Sequence, residues 1–203
     1  MPSPPIVPLV PAKPTPARQP LAFATPAHLD AWLAHHHANE RELWVRIYKK
    51  GSGTPSVDWN DCVIVALVWG WIDGHKKPLD AASFLQRMTP RRPKSSWSKR
   101  NREHAERLIA AGRMQPAGLV HVEAARADGR WDAAYAGSAE MVIPEDFLAQ
   151  LRKVPAAERC FDGLDRRNLF AIYHRLHTAK RPETRAKRIA DIIAKLARGE
   201  RFH

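Results

Sequence analysis

Apolar and polar positions alternate from Glu42 to Lys49, with Leu43, Val45 and Ile47 on one side and Trp44, Arg46 and Tyr48 on the other. A period of two predicts a strand with one buried face. The pattern then changes. From Cys62 to Ile72 the chain is apolar for 11 residues, broken only by Gly70. Ser56 or Asp58 stands where a helix cap is needed, so this run predicts a buried helix ending at Gly70. It is far too short to cross a bilayer. Trp71 to Lys77 and Ser83 to Met88 predict two short strands joined through Pro78.

Helix start and stop signals organise the remainder. Thr25-Pro26 opens a helix that runs to about His37. Ser98 caps a helix from Lys99 to Ala111, closed by Gly112, and Pro116 opens another that Gly129 closes. All seven tryptophans lie before residue 132. After a Gly137-Ser138 linker only helices are predicted: Pro144 to Lys153, Pro155 to Leu164, an Asp165-capped helix to His177, and Pro182 to Arg198. In the last of these, Ile189, Ile192, Ile193 and Leu196 form one core-facing stripe. The predicted fold is α+β. A domain over residues 21–136 has a small, mainly antiparallel sheet packed by helices, and an all-helical C-terminal unit follows over residues 139–200.

Composition refines this picture at the N-terminus. Nine of the 17 prolines lie at Pro2, Pro4, Pro5, Pro8, Pro11, Pro14, Pro16, Pro20 and Pro26. Residues 1–20 therefore read as a disordered, Pro-rich leader. Ile6-Val7 and Leu9-Val10 are split by Pro8 and precede Lys13, so no export signal is read and a cytoplasmic location is expected. Two cysteines in 203 residues make no disulfide framework.

Charge points to a partner class. The formal net charge of +12 is not spread evenly. Residues 87–107 hold eight basic and two acidic side chains, and residues 175–201 hold nine and three. Each window therefore carries +6, and together they account for the whole excess. Clustered positive charge is what an anion-binding surface requires.

The most distinctive text begins with Gly70-Trp71-Ile72-Asp73-Gly74, Thr89-Pro90-Arg91-Arg92 and Ser95-Ser96-Trp97-Ser98. Gly112-Arg113-Met114 and Gly129-Arg130-Trp131 follow, then Ala179-Lys180-Arg181-Pro182-Glu183-Thr184-Arg185. This series resembles the YdeI/OmpD-associated, or bacteriocin-protection, family from about Leu21 to Gly199. The resemblance implies a role in bacterial stress tolerance and carries over no catalytic residue. The family usually has an acidic residue shortly before the GWID segment, and this chain has Val65 in that stretch.

The bases and helix start around Thr89 to Asn101 predict an anion pocket. Free amides at a helix N-terminus attract anions, and arginines add paired donors. The candidate ligand-binding residues are Trp71, Asp73, Lys76, Arg87, Arg91, Arg92, Trp97, Ser98, Asn101 and Arg113. The expected partner is a phosphate-bearing ligand or nucleic acid, with tryptophans near the arginines available for stacking. No helix-turn-helix, zinc-finger or RNP pattern is present. His35-His36-His37 point about 100° apart on a helix and make a poor metal site, so no metal or other cofactor is expected. Cys62 reads as inert core.

Three functions fit these features. The first is a non-enzymatic tolerance protein with an anion-binding surface. An enzyme acting on a phosphorylated small molecule would instead use Asp73 as base and Arg91 or Arg92 as oxyanion stabilisers. The third is a protein-interaction module acting through the helical C-terminal unit.

Overall fold

The computed structural model describes residues 19–203, so the expected leader lies almost wholly outside the described residues. In chain order the elements are β1 (Leu21–Ala22), α1 (Pro26–His36), β2 (Leu43–Tyr48), α2 (Trp59–Val68), β3 (Trp71–Pro78) and β4 (Ser83–Pro90). They continue with α3 (Lys99–Ala110), α4 (Pro116–Ala127), α5 (Glu145–Leu151), α6 (Pro155–Asp162), α7 (Arg166–His177) and α8 (Pro182–Ala197).

The four-stranded sheet has the order β1-β2-β4-β3. β4 pairs antiparallel with both β2 and β3, and only the short β1 runs parallel, along β2. The mixed α+β fold and mainly antiparallel sheet agree with the sequence pattern. β1 was not predicted; a two-residue strand has no period to read.

α2 organises the N-terminal half. Asp58 and Asp61 cap it reciprocally, each side chain accepting from the other's backbone amide at 2.8 and 2.9 Å. Cys62, Val65 and Ala66 join Leu29, Leu33, Val45, Ile47, Trp71 and Met88 in a core between the helices and the sheet. Val63, Leu67 and Val68 join Trp97, Leu108, Val122 and Trp131 in a second core against α3 and α4. A helix buried on two sides explains why its sequence shows no polar face.

Contact at the C-terminal end of α2 is very close. Gly118 of α4 lies against it, and a Cβ at that position would meet Val68 O at 2.5 Å and Leu67 O at 2.6 Å. Gly70 leaves the helix with φ +72, a left-handed conformation suited to glycine. Gln115 N donates to Val68 O at 3.2 Å across the same junction.

After Ala136 the described residues form α5–α8 and no strand. Phe147, Leu151, Ile172, Leu176, Ile192 and Leu196 make a third core there. This helical part is docked on the rest. Tyr173 Oη accepts from Ala136 N at 2.9 Å, and Arg166 donates to the carbonyls of Ser138 and Ala139 at 2.9 and 2.8 Å. The predicted Gly137-Ser138 linker is therefore bonded to α7. Among the described residues no helix is long and apolar enough to cross a membrane.

Gly118→Ala is expected to lower unfolding stability by about 1–3 kcal/mol, because the opposing atoms are backbone. Gly137→Ala, with nothing within 4 Å of the added methyl, should change it by less than about 0.5 kcal/mol. Urea denaturation of the two variants checks this.

Candidate functional site

The two faces of the sheet divide the residues of the predicted anion pocket. Asp73 pairs with Met88 and lies on the α2 side, whereas Arg87 pairs with Trp44 and faces the other way. Arg87 is bound there to Glu42 at 2.8 Å. A bulge at Gly74-His75 shifts the register of β3, and buried Gln86 donates to the Gly74 carbonyl at 3.0 Å. Lys76 lies over the Phe84 ring at 3.9 Å. Trp71 is 1% exposed in the first core and donates to His37 O at 3.2 Å, so it offers no stacking surface. Arg92 is exposed. Arg113 lies beyond the far end of α3 from Ser98, roughly 18 Å away at 1.5 Å per residue. The ten residues therefore do not form one pocket.

Some of them do converge. Arg91 is 4% exposed and stacks on buried Trp97, with its guanidinium 3.9 Å from the ring centroid. Its Nη1 donates to Ser96 O at 3.1 Å, and its buried Nη2 has no partner among the described residues. Burial pushes the Arg91 guanidinium down to about 10; Tyr135 and Asp73 favour its charge, while Arg130 opposes it. Ser98 caps α3 by accepting from Asn101 N at 3.1 Å, and the Tyr135 backbone runs beside it, with Tyr135 N donating to Trp97 O at 2.9 Å. Asp73 accepts from the Trp59 indole at 3.1 Å.

Behind Ser96 the field grows more positive. Arg130 is 8% exposed. It donates from Nε to both Asp128 oxygens at 2.8 and 2.7 Å, and from Nη1 to Ser95 O at 2.8 Å. Arg130 is close enough to disfavour the charge on Arg91, and burial followed by the charges of both arginines depresses the neighbouring His121. Arg130 also faces a cleft of about 630 Å³. Lys94, Ser96, Asp128 and Ala133 line it from the N-terminal half, and His177, Thr178 and Lys180 line it from the end of α7 and the turn into α8. Lys94 and Lys180 are exposed at its walls. The two +6 windows of the sequence thus meet in one concavity.

Residues 140–199 match the family model described as Bacteriocin-protection, YdeI or OmpD-Associated. Over these residues the chain is similar to the YdeI/OmpD-associated family. Residues 21–121 match a different model, a domain of unknown function (DUF8412). The GWIDG, TPRR and SxWS segments fall in that second match, so the likeness to the YdeI/OmpD-associated family is confined to the narrower region that contains Lys180. The chain matches no curated protein and no solved structure.

Lys94, Arg130, His177 and Lys180 were not among the candidate residues, although the last two border or lie within the YdeI/OmpD-associated motif segment. Their linear signals are the basic windows for Lys94 and Lys180, the Ala179-to-Arg185 text for Lys180, and the Gly129-Arg130-Trp131 text for Arg130. Nothing in their spacing brings positions 94, 130 and 180 together. Among the described residues there is no group of three or more His, Cys, Asp or Glu side chains arranged to hold a metal. Burial, with the nearby carboxylates of Asp61, Asp58 and Asp73, pushes the Cys62 thiol up to about 12. A group so far from its thiolate fits an inert core role.

His104, His121 and His174 are each held below the ordinary histidine value of 6.5, chiefly by burial and then by neighbouring cations. The folded protein therefore resists protonating them, while the unfolded chain takes up those protons near pH 6.5. Stability should be full above about pH 7 and fall as pH drops through 6.5 toward the depressed folded values. Urea midpoints at pH 7.5, 6.5 and 5.5 test this, and His174→Gln should flatten the decline.

Proposed function

We propose that this is a non-enzymatic, bacteriocin-protection-type protein that binds a phosphate-bearing ligand in the cleft between its two halves. One observation carries the reading: two buried guanidiniums, Arg91 and Arg130, donate to the consecutive carbonyls of Ser96 and Ser95 behind the cleft, with a single carboxylate, Asp128, bonded to one of them. Burying like charges together is costly unless an opposite charge offsets them. Asp128 is half exposed and also lies near Lys180, so it offsets only part of the field. A ligand anion placed between Lys94, Arg130 and Lys180 would complete the compensation. Arginine and lysine suit phosphate, through directed and point-charge contacts respectively.

The family description supports a setting of bacteriocin protection, and the basic lining of the cleft supports anion capture as the chemical act. Since the walls come from both halves, a bound anion would also clamp the YdeI/OmpD-associated region onto the N-terminal half. Ligand binding would then stabilise the fold by mass action.

Inorganic phosphate should raise the melting temperature at low salt and bind measurably by isothermal titration calorimetry. Lys94→Gln and Lys180→Gln should each weaken binding about three- to tenfold, the usual worth of one charge-assisted contact. Both lysines are exposed, so the unliganded melting temperatures should be nearly unchanged. Absence of any phosphate effect at low salt would remove this reading.

A further inference from the structure

A second basic cavity adjoins the cleft. It encloses about 380 Å³ and is lined by Arg175, Thr178, Arg188, Asp191, Ile192, Lys195 and Phe202. Thr178 lines the cleft as well, so one side chain borders both cavities. Its hydroxyl donates to His174 O at 2.8 Å and accepts from Arg188 Nη1 at 2.9 Å.

The arginines of this cavity are held in place before any ligand arrives. Arg188 Nη1 also donates to the Arg175 carbonyl, and Arg175 Nη1 donates to Ala171 O at 3.0 Å. These bonds satisfy carbonyls near the C-terminal end of α7. Among the described residues no hydrogen bond uses Nε or Nη2 of either guanidinium. Arg175 and Lys195 also lie over the Phe202 ring, at 4.6 and 5.2 Å from its centroid. Glu200 is 3.7 Å from Lys195, and Asp191 is the acid that lines the cavity itself. Cations already held this way lose less side-chain freedom on meeting an anion.

Resting on the anion-binding reading of the cleft, we infer that its ligand carries at least two phosphate groups in one chain. One group lies among Lys94, Arg130 and Lys180, and the next lies past Thr178 among Arg175, Arg188 and Lys195. A single phosphate is far too small to fill either cavity, whereas a linear phosphate chain or a phosphodiester backbone would run through both. Those two sources share the chemistry and differ in whether bases accompany it.

Calorimetric titration of the full chain with tripolyphosphate and with a single-stranded hexathymidylate tests the inference. One ligand per chain is expected, weakened threefold or more by Lys94→Gln and also by Arg175→Gln. Each variant should reduce the slope of log affinity against log salt by about one for the strand. Lys195→Gln provides a second variant in the outer cavity, and unchanged melting temperatures confirm that the variants fold. Tighter binding of the strand assigns the nucleic-acid source, and tighter binding of tripolyphosphate the other. If Arg175→Gln and Lys195→Gln leave both ligands unaffected while Lys94→Gln weakens them, the second subsite is overturned and the cleft reading stands. Two independent binding events per chain, each removed by one variant, would also overturn it. No binding of either ligand or of inorganic phosphate at low salt would overturn both.

Discussion

Everything in the N-terminal half depends on α2 being buried on two opposite sides. One side closes the sheet core through Cys62, Val65 and Ala66, and the other closes the helical core through Val63, Leu67 and Val68. Burial of this kind leaves no polar stripe for orientation, so the helix must be located by its ends. The reciprocal Asp58–Asp61 cap fixes one end. Gly118, at van der Waals limits against the last carbonyls, fixes the other. Gly70 then turns the chain directly into β3, which sets where Trp71 enters the core and where Asp73 emerges beside it.

The same junction brings two arginines out of solvent. Arg91 N donates to Gly70 O at 2.9 Å, which ties the end of β4 to the turn after α2. Its guanidinium is thereby directed onto Trp97, a member of the second core. A guanidinium tolerates burial better than an ammonium because its planar face can stack on an aromatic ring. The stack and one carbonyl offset part of the desolvation, yet Arg130 adds a second buried charge nearby. That leaves a positive field behind Ser96, aimed at the surface on which the C-terminal helices dock.

Docking of those helices builds the cleft instead of merely appending a unit. Tyr173, Arg166 and His177 bind the carbonyls and amides of residues 133–139, and this places the α7–α8 turn beside Lys94 and Arg130. The bases of α8 and the turn before it divide by role. Arg185 is paired with Asp146 at 2.6 and 2.7 Å and with Leu176 O at 2.9 Å, so it serves mainly to hold α5 and α7 together. Lys180 has no such structural duty and projects where the charge faces solvent. A basic window in the sequence is thus part structural clamp and part exposed cation.

Local chemistry was legible in the chain alone. Thr25, Asp58, Ser98 and Asp165 cap the helices expected of them, and the alternation of Leu43, Val45 and Ile47 buries the predicted face of β2. These features depend on neighbours within a few residues, for which spacing along the chain equals spacing in space. The pairing of the strand that carries Asp73 with the strand that leads to Arg91 was also readable, because a hairpin joins them. What the sequence could not determine is which side of a sheet a residue faces after a bulge, and which distant loops share a cavity. Arg87 was separated from Asp73 by strand parity, Trp71 was taken by the core, and Lys94, Arg130 and Lys180 were joined across the interface of two halves. Such outcomes depend on long-range packing, where the nearest neighbour of a side chain comes from a segment that no local period describes. Local spacing specifies most of the elements, their caps and the clustering of charge; long-range packing selects which of those charges are buried, which are paired and which meet.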